Sequence, residues 1–402
     1  MRIRLAGSVA LAAAVALLTI GGCAAPTADL GAPRFVECPA GPGSQAPNLA
    51  VGLDGVVYLS WIEPRGAGHA LRFSTWSDGR WDDPRTVAEG DDWFVNWADF
   101  PSMAALEDGT LAAHWLVRSG AAAYAYDVVI SLSRDGGDTW SEPFSPHRDA
   151  TPTEHGFVSL VPSPGGSFDV IWLDGRHTAD EPRGAMTLRY AALAPDGRLE
   201  AEAEIDPSVC DCCSTDALRT EDGTLLTVYR DRTASEIRDI SVSRLLGAGW
   251  SAPATVHADD WEIAGCPVNG PAVASRGTTV AVAWFTAAGE TARVQVAFST
   301  DGGATFGRPL RVADGNPLGR VDVEMLDGES ALVSWLEHDA DRARIAVRPV
   351  TSAGVAPSRF VTETSQARSS GFPRMVTTDG EIILAWTTGD EPTRIGTAVI
   401  SK

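Results

Sequence analysis

Short apolar runs in which hydrophobic and polar positions alternate recur along the chain, and each ends in an aromatic residue. The run VVYLSW closes at Trp61, LAAHW at Trp115, FDVIW at Trp172, LLTVY at Tyr229, VAVAW at Trp284, ALVSW at Trp335 and IILAW at Trp386. The spacings are 54, 57, 57, 55, 51 and 51 residues. A period of two between turn residues predicts half-buried strands, and no stretch carries the 3.6-residue period of a helix. A short strand precedes each aromatic run (NLAV, SMAAL, VSLV, DALRT, PAVAS, VDVEML, RMVTT), often through an Asp-Gly turn such as Asp54-Gly55 or Asp222-Gly223. A third strand follows a polar loop, and a weaker fourth closes the unit.

Four strands per unit of this length predict an all-β propeller, in which each blade is one repeat. Seven aromatic strands predict seven blades; six would follow if one repeat were irregular. The last unit, 372–402, has only three strands, so Arg34-Phe35-Val36-Glu37 is expected to supply its outer edge. Residues 34–38 would thus close a single domain spanning 33–402 and remove an exposed sheet edge.

The first 22 residues lie outside this pattern. Arg2 and Arg4 precede a mostly apolar run from Leu5 to Ile20, then Gly21-Gly22-Cys23. A charged start, a short apolar core and small residues predict an export signal. The Cys after two small residues resembles the lipobox of bacterial lipoproteins, implying a lipidated (palmitoylated) Cys23 and a tether over 23–32. The expected protein is an exported monomer, held by its lipid on an outer membrane or cell surface. The 402 residues carry 32 basic and 53 acidic side chains, a net charge of −21, which disfavours a nucleic-acid partner.

Two segments following third strands, Ser133–Trp140 and Ser299–Phe306, read S-x-D-x-G-x-T-W/F; Asp78-Gly79-Arg80-Trp81 is a degenerate third. They resemble the Asp-box (BNR repeat) of the sialidase superfamily. The resemblance implies a sialidase-like propeller and, with it, glycan recognition or exo-α-sialidase-type hydrolysis. Family members use three arginines on the substrate carboxylate, a Glu-activated Tyr nucleophile and an Asp acid/base. Here the early arginine motif has no match beyond Pro33-Arg34-Phe35, and the last tyrosine is Tyr229.

In a propeller the connections between blades, and those between second and third strands, share one face, called the top here. That sorting places Glu63, Asp174, Asp231 and Glu337, each two residues beyond a blade aromatic, at the top. Arg176, His177, Arg230, Arg232 and His338 stand beside them, and the inter-blade loops add Trp93, Asn96, Trp97, Asp99, Glu154, His155, Arg320, Asp322 and Arg374. Arg320 and Arg374 are candidate parts of a carboxylate clamp, with Arg230 a further candidate catalytic residue. Asp231 or Asp174 is the candidate general acid. Trp93, Trp97, His155, Arg176 and Glu337 are candidate ligand contacts for a glycan or surface protein. Pairing of these charges within their own loops is the competing reading.

Five cysteines besides Cys23 fall in inter-blade loops: Cys38, then Cys210-Asp211-Cys212-Cys213, and Cys266 in Gly265-Cys266-Pro267-Val268-Asn269-Gly270-Pro271. In an oxidising compartment a disulfide between Cys266 and the 210–213 group is the first expectation. The alternative is a soft-metal site, Cu or Zn, on Cys210, Cys212, Cys213 and Cys266 with His155 or His177 nearby. A reactive thiol with Asp211 or a histidine as partner is the third. No other cofactor is implied.

Overall fold

The structure is a computed structural model describing residues 30–179, 184–247, 249–389 and 391–402. The export segment and Cys23 lie outside the described residues. Seven antiparallel sheets follow one another along the chain. Their first three strands are 45–51, 57–65 and 68–77 in blade 1; 102–105, 111–118 and 126–133 in blade 2; and 155–163, 167–174 and 186–193 in blade 3. Blade 4 uses 216–219, 225–230 and 240–246, and blade 5 uses 272–276, 279–286 and 293–299. Blade 6 uses 317–325, 330–339 and 342–351, and blade 7 uses 374–377, 381–387 and 395–401. This is a seven-bladed propeller, which settles the choice between seven and six.

The outermost strands are the least regular. Blade 3 has a long one, Leu199–Val209, whereas in blade 2 it shrinks to the single bridge between Phe144 and Ile130. In blade 7 the outer strand is Arg34–Val36, with Arg34 opposite Val399 and Val36 opposite Thr397. Thr397 ties this seam on both sides: its hydroxyl donates to the Val36 carbonyl at 2.9 Å and accepts from the Trp81 indole of blade 1 at 3.2 Å.

All seven repeat aromatics are buried on second strands, and the core lies in apolar clusters between neighbouring blades. Their polar edges need acceptors, because an unpaired buried N–H costs about 1–3 kcal/mol. The carboxylate two residues on supplies one in three blades: Trp61 to Glu63 at 3.1 Å, Trp172 to Asp174 at 2.9 Å and Trp335 to Glu337 at 2.6 Å. Trp284 uses Asp259 at 2.6 Å, and the Tyr229 hydroxyl reaches Asp206 at 2.8 Å.

The two S-x-D-x-G-x-T turns repeat one hydrogen-bond pattern. Asp135 accepts from the Thr139 amide at 2.9 Å and from its hydroxyl at 2.5 Å; Asp301 accepts from Thr305 at 2.9 and 2.6 Å. The glycine after each Asp-x has positive φ and presses on the preceding blade. A Cβ on Gly137 would sit 2.4 Å from Phe73, and one on Gly303 2.2 Å from Leu226.

Candidate functional site

The sequence-selected top-face residues do not converge on one point. Arg230 is buried, and its guanidinium donates only to carbonyls: Asn269 at 3.0 and 2.8 Å, Arg238 at 2.6 Å and Phe285 at 2.7 Å. Arg320, also buried, donates to Ser370 Oγ at 2.7 Å and the Gly371 carbonyl at 2.9 Å, with its guanidinium carbon 4.8 Å from the Trp97 ring. Its φ of +54° lies at the bulge between Gly319 and Asp322 in that strand. Arg374 faces the axis, 3.6 Å from Asp322 and 5.6 Å from the Phe100 ring. The three arginines are therefore fasteners at three separate places and make no clamp.

Asp174 and Glu337 receive the indoles described above, and Asp174 also takes both ends of Arg176 at 2.8 and 2.7 Å. Asp231 accepts from Ser241 Oγ at 3.0 Å, and burial raises its pKa. Trp93 is core, 5.6 Å from Trp115, and Trp97 stacks on Phe372 at 5.9 Å. His155 is buried among Asp127, Asp149 and Asp174, and among the described residues no cysteine joins that cluster.

An axial cavity of about 1010 Å³ runs along the first strands and reaches Gly55, Glu221 and Gly380, turn residues on the face opposite the top. Burial raises Asp216 to about 6 and Glu324 to about 8 within it, next to Arg374.

The cysteines do converge, with one exception. Cys38 is half-buried between blades 7 and 1 with Val36, Ala40 and Trp76, and burial pushes its thiol up to about 12. The other four lie on the top face between blades 3, 4 and 5. The Cys210 and Cys213 sulfurs are 2.9 Å apart, those of Cys210 and Cys212 3.8 Å, and all three fall within 4.8 Å of one another. Cys266, exposed at the rim, lies 4.0 Å from Asp211 Oδ1. All five cysteines among the described residues are free thiols. The shortest approach joins Cys210 and Cys213, while Cys266 lies within 4.8 Å of Cys212, the member of the 210–213 group best placed for the expected pairing.

The sequence around Cys266 explains why the two loops meet. A Cβ on Gly270 would sit 2.0 Å from the Ser214 carbonyl, so only glycine lets the 265–271 segment lie against the cysteine loop. Asn269 then bridges the blades, accepting from Arg230 through its carbonyl and from the Arg320 amide through Oδ1 at 2.7 Å.

Two guanidiniums set the electrostatics. Arg238 places Nη1 3.4 Å from Cys210 Sγ and 3.0 Å from Asp211 Oδ1, while Arg230 lies beneath. Burial works against ionising Cys210, but hydrogen bonds from Cys212 and Cys213 and the charge of Arg230 hold its thiol well below the usual range. Cys212 is pushed up chiefly by its hydrogen bond to Cys210, and Cys213 chiefly by burial. Ionisation is therefore favoured at Cys210 over its two neighbours, the setting of a nucleophilic or metal-ligating sulfur.

Beside it opens a top-face pocket of about 700 Å³ lined by Tyr124, Glu154, Met186, Asp211 and Arg232. Sequence reasoning placed Glu154 on this face but not its partner Tyr126, whose hydroxyl donates to Glu154 at 2.7 Å and Asp99 at 3.0 Å. Burial raises Glu154 to about 8 and Asp99 to about 7.

No family model matches the chain, and no curated protein matches it. Among solved structures it is similar to a protein of unknown function from Dyadobacter fermentans (14% identity, 93% of this chain and 98% of that one, TM-score 0.52). It is also similar to the polysaccharide lyase Uly1 (10%, 88% and 89%, 0.52). The leech intramolecular trans-sialidase gives 9%, 93% and 91%, with a TM-score of 0.50. At these identities the likeness defines the class of fold: a sialidase-like, seven-bladed propeller.

Proposed function

We propose that this propeller is exported, anchored through a lipid on Cys23, and binds a soft metal ion, Cu(I) or Zn²⁺, through Cys210, Cys212 and Cys213, with Cys266 at the rim. The observation that carries the reading is the gathering of three sulfurs within 4.8 Å. Metal–sulfur bonds of ~2.3 Å set sulfurs about 3.8 Å apart, close to the Cys210–Cys212 separation of 3.8 Å. Charge supports it as well. Three thiolates around Cu(I) carry a net charge of −2, and Arg230, which has no carboxylate partner among the described residues, and Arg238 adjoin that charge. Soft thiolates select Cu(I) and Zn²⁺ over hard cations.

The test is native mass spectrometry of the unlipidated chain with Cu(I) and with Zn²⁺ under anaerobic reduction. One bound ion, lost in Cys212→Ser, is expected. A metal-free protein that loses two hydrogens on oxidation would replace metal binding with a thiol–disulfide function.

A second reading is favoured by the adjoining pocket. Glu154, protonated near neutral pH, faces it together with Asp211 and Arg232, as a glycan acid/base site would require. The solved neighbours include a trans-sialidase and a polysaccharide lyase. Glycan-array binding, or sialoside hydrolysis lost in Glu154→Gln and kept in Cys212→Ser, would select this reading.

A further inference from the structure

The ligating side chains of the cysteine loops form two groups that overlap. The sulfurs of Cys210, Cys212 and Cys213 lie within 4.8 Å of one another, and the same limit holds for a carboxylate oxygen of Asp211 with the sulfurs of Cys212 and Cys266. Cys212 belongs to both groups. The two differ in depth: Cys210 and Cys213 are buried, Cys212 is half-buried and Cys266 is exposed. Asp211, with its side chain 39% exposed, stands beside Cys266 on the solvent side and lines the adjoining pocket. Ligating atoms therefore lead from solvent down to the buried sulfurs, each within one ion's reach of the next.

The outer group is the weaker holder of a soft ion. Its third donor is a carboxylate, a hard ligand, and Arg238 Nη1 already donates to that oxygen at 3.0 Å. The same Nη1 lies 3.4 Å from Cys210 Sγ. One buried guanidinium thus faces both groups, and an anionic thiolate complex keeps the same counter-charge in either place. The close packing of Gly270 on Ser214 fixes the two loops at this separation.

We infer that Asp211, Cys212 and Cys266 form an entry site through which Cu(I), delivered by a thiol-bearing donor, reaches the Cys210–Cys212–Cys213 site, with Cys212 bound to the ion throughout. This rests on the metal-binding reading above. Cu(I) is satisfied by two or three sulfurs, so it can add a new sulfur before it releases an old one. At entry the Cys266 sulfur bonds to the ion and a donor thiolate leaves. In the inward step the bonds from Cu(I) to Cys266 Sγ and Asp211 break, and bonds to Cys210 Sγ and Cys213 Sγ form. The ion keeps its oxidation state and no electron moves. A proton still held on an inner thiol passes through water to the freed Cys266 sulfur.

The test loads the reduced, unlipidated chain with one equivalent of Cu(I) under anaerobic conditions and follows its removal by excess bicinchoninate in a stopped-flow spectrometer. Uptake is followed from the Cu(I)–glutathione complex. An entry ligand acts on both directions, so Cys266→Ser should slow uptake and removal alike, by about tenfold or more, and their ratio should move far less than either rate. Asp211→Asn should slow both by a smaller factor. If Cys266 were simply a fourth ligand of one site, its loss would speed removal. That result, or both rates within about twofold of wild type in Cys266→Ser, would overturn the entry site. Cys266 is exposed, so its replacement leaves the fold intact. The two proposals fail separately. A wild-type chain that takes up no Cu(I) overturns the metal reading, whereas Cu(I) binding with unchanged rates in Cys266→Ser overturns the entry site alone.

Discussion

The indole nitrogen of Trp335 donates to Glu337 Oε2 at 2.6 Å, both residues buried, so this acidic residue at the top of blade 6 completes the blade's own core. Its charge serves an N–H in the same strand. Glu337→Ala should therefore destabilise the protein by about 1–3 kcal/mol in urea unfolding, through an indole left without an acceptor. Ligand and metal binding by the folded protein should stay at wild-type level. Lost binding at unchanged stability would instead make Glu337 a contact residue.

Glu154 sets a dependence on pH. Its carboxyl is raised from 4.5 to about 8 by burial, so the folded chain keeps a proton that the unfolded chain releases. Such a group contributes stability that is fully present below about pH 4.5 and lost as pH rises through about 8. Glu154→Gln should flatten the fall in unfolding free energy between those limits, with its largest relative gain near pH 8. Equal effects at pH 4.5 and 8 would count against the raised carboxyl.

The five thiols should differ in reactivity. Brief iodoacetamide treatment of the folded, metal-free, reduced protein, read by peptide mass spectrometry, should label exposed Cys266 and the Cys210 group first. Cys38, half-buried and pushed up to about 12, should react last. Arg238→Gln, which removes a cation 3.4 Å from Cys210 Sγ, should shift the pH profile of Cys210 labelling upward.

Deleting the chain through Val36 removes three backbone pairings with the last strand and the Phe35 edge contact on Trp386 at 6.2 Å. The melting temperature should fall by roughly 4 °C or more. An unchanged value would mean the ring does not depend on that seam.

The repeat was legible because seven buried aromatics at 51–57-residue spacing leave a signal no local propensity can hide. The same regularity misled the reading of the site. Glu63, Asp174 and Glu337 recur two residues after a blade tryptophan, and a position repeated from blade to blade marks a role in every blade, here the indole acceptor. The irregular features are the ones that gather. Cys210, Cys212, Cys213 and Cys266 break the repeat, and the structure unites them. Asp127 and His147 had no such mark: one begins a third strand, the other lies in the 145–154 connection, and only the fold stacks His147 on His155. The arginines were read as clamp residues because the sequence does not show which carbonyls a bulge or loop leaves open for them.

The closing strand also has a direction. Gly31 bonds to the Ser401 carbonyl at 2.9 Å, at the end of the last strand and on the same side as the mouth of the axial cavity. The chain therefore enters the domain from the face opposite the cysteines and histidines. With a lipid on Cys23, seven intervening residues give a leash of at most roughly 25 Å. A body held that way would sit with its acidic cavity toward the bilayer and would turn the Cys210–Cys213 group outward, toward whatever diffuses past.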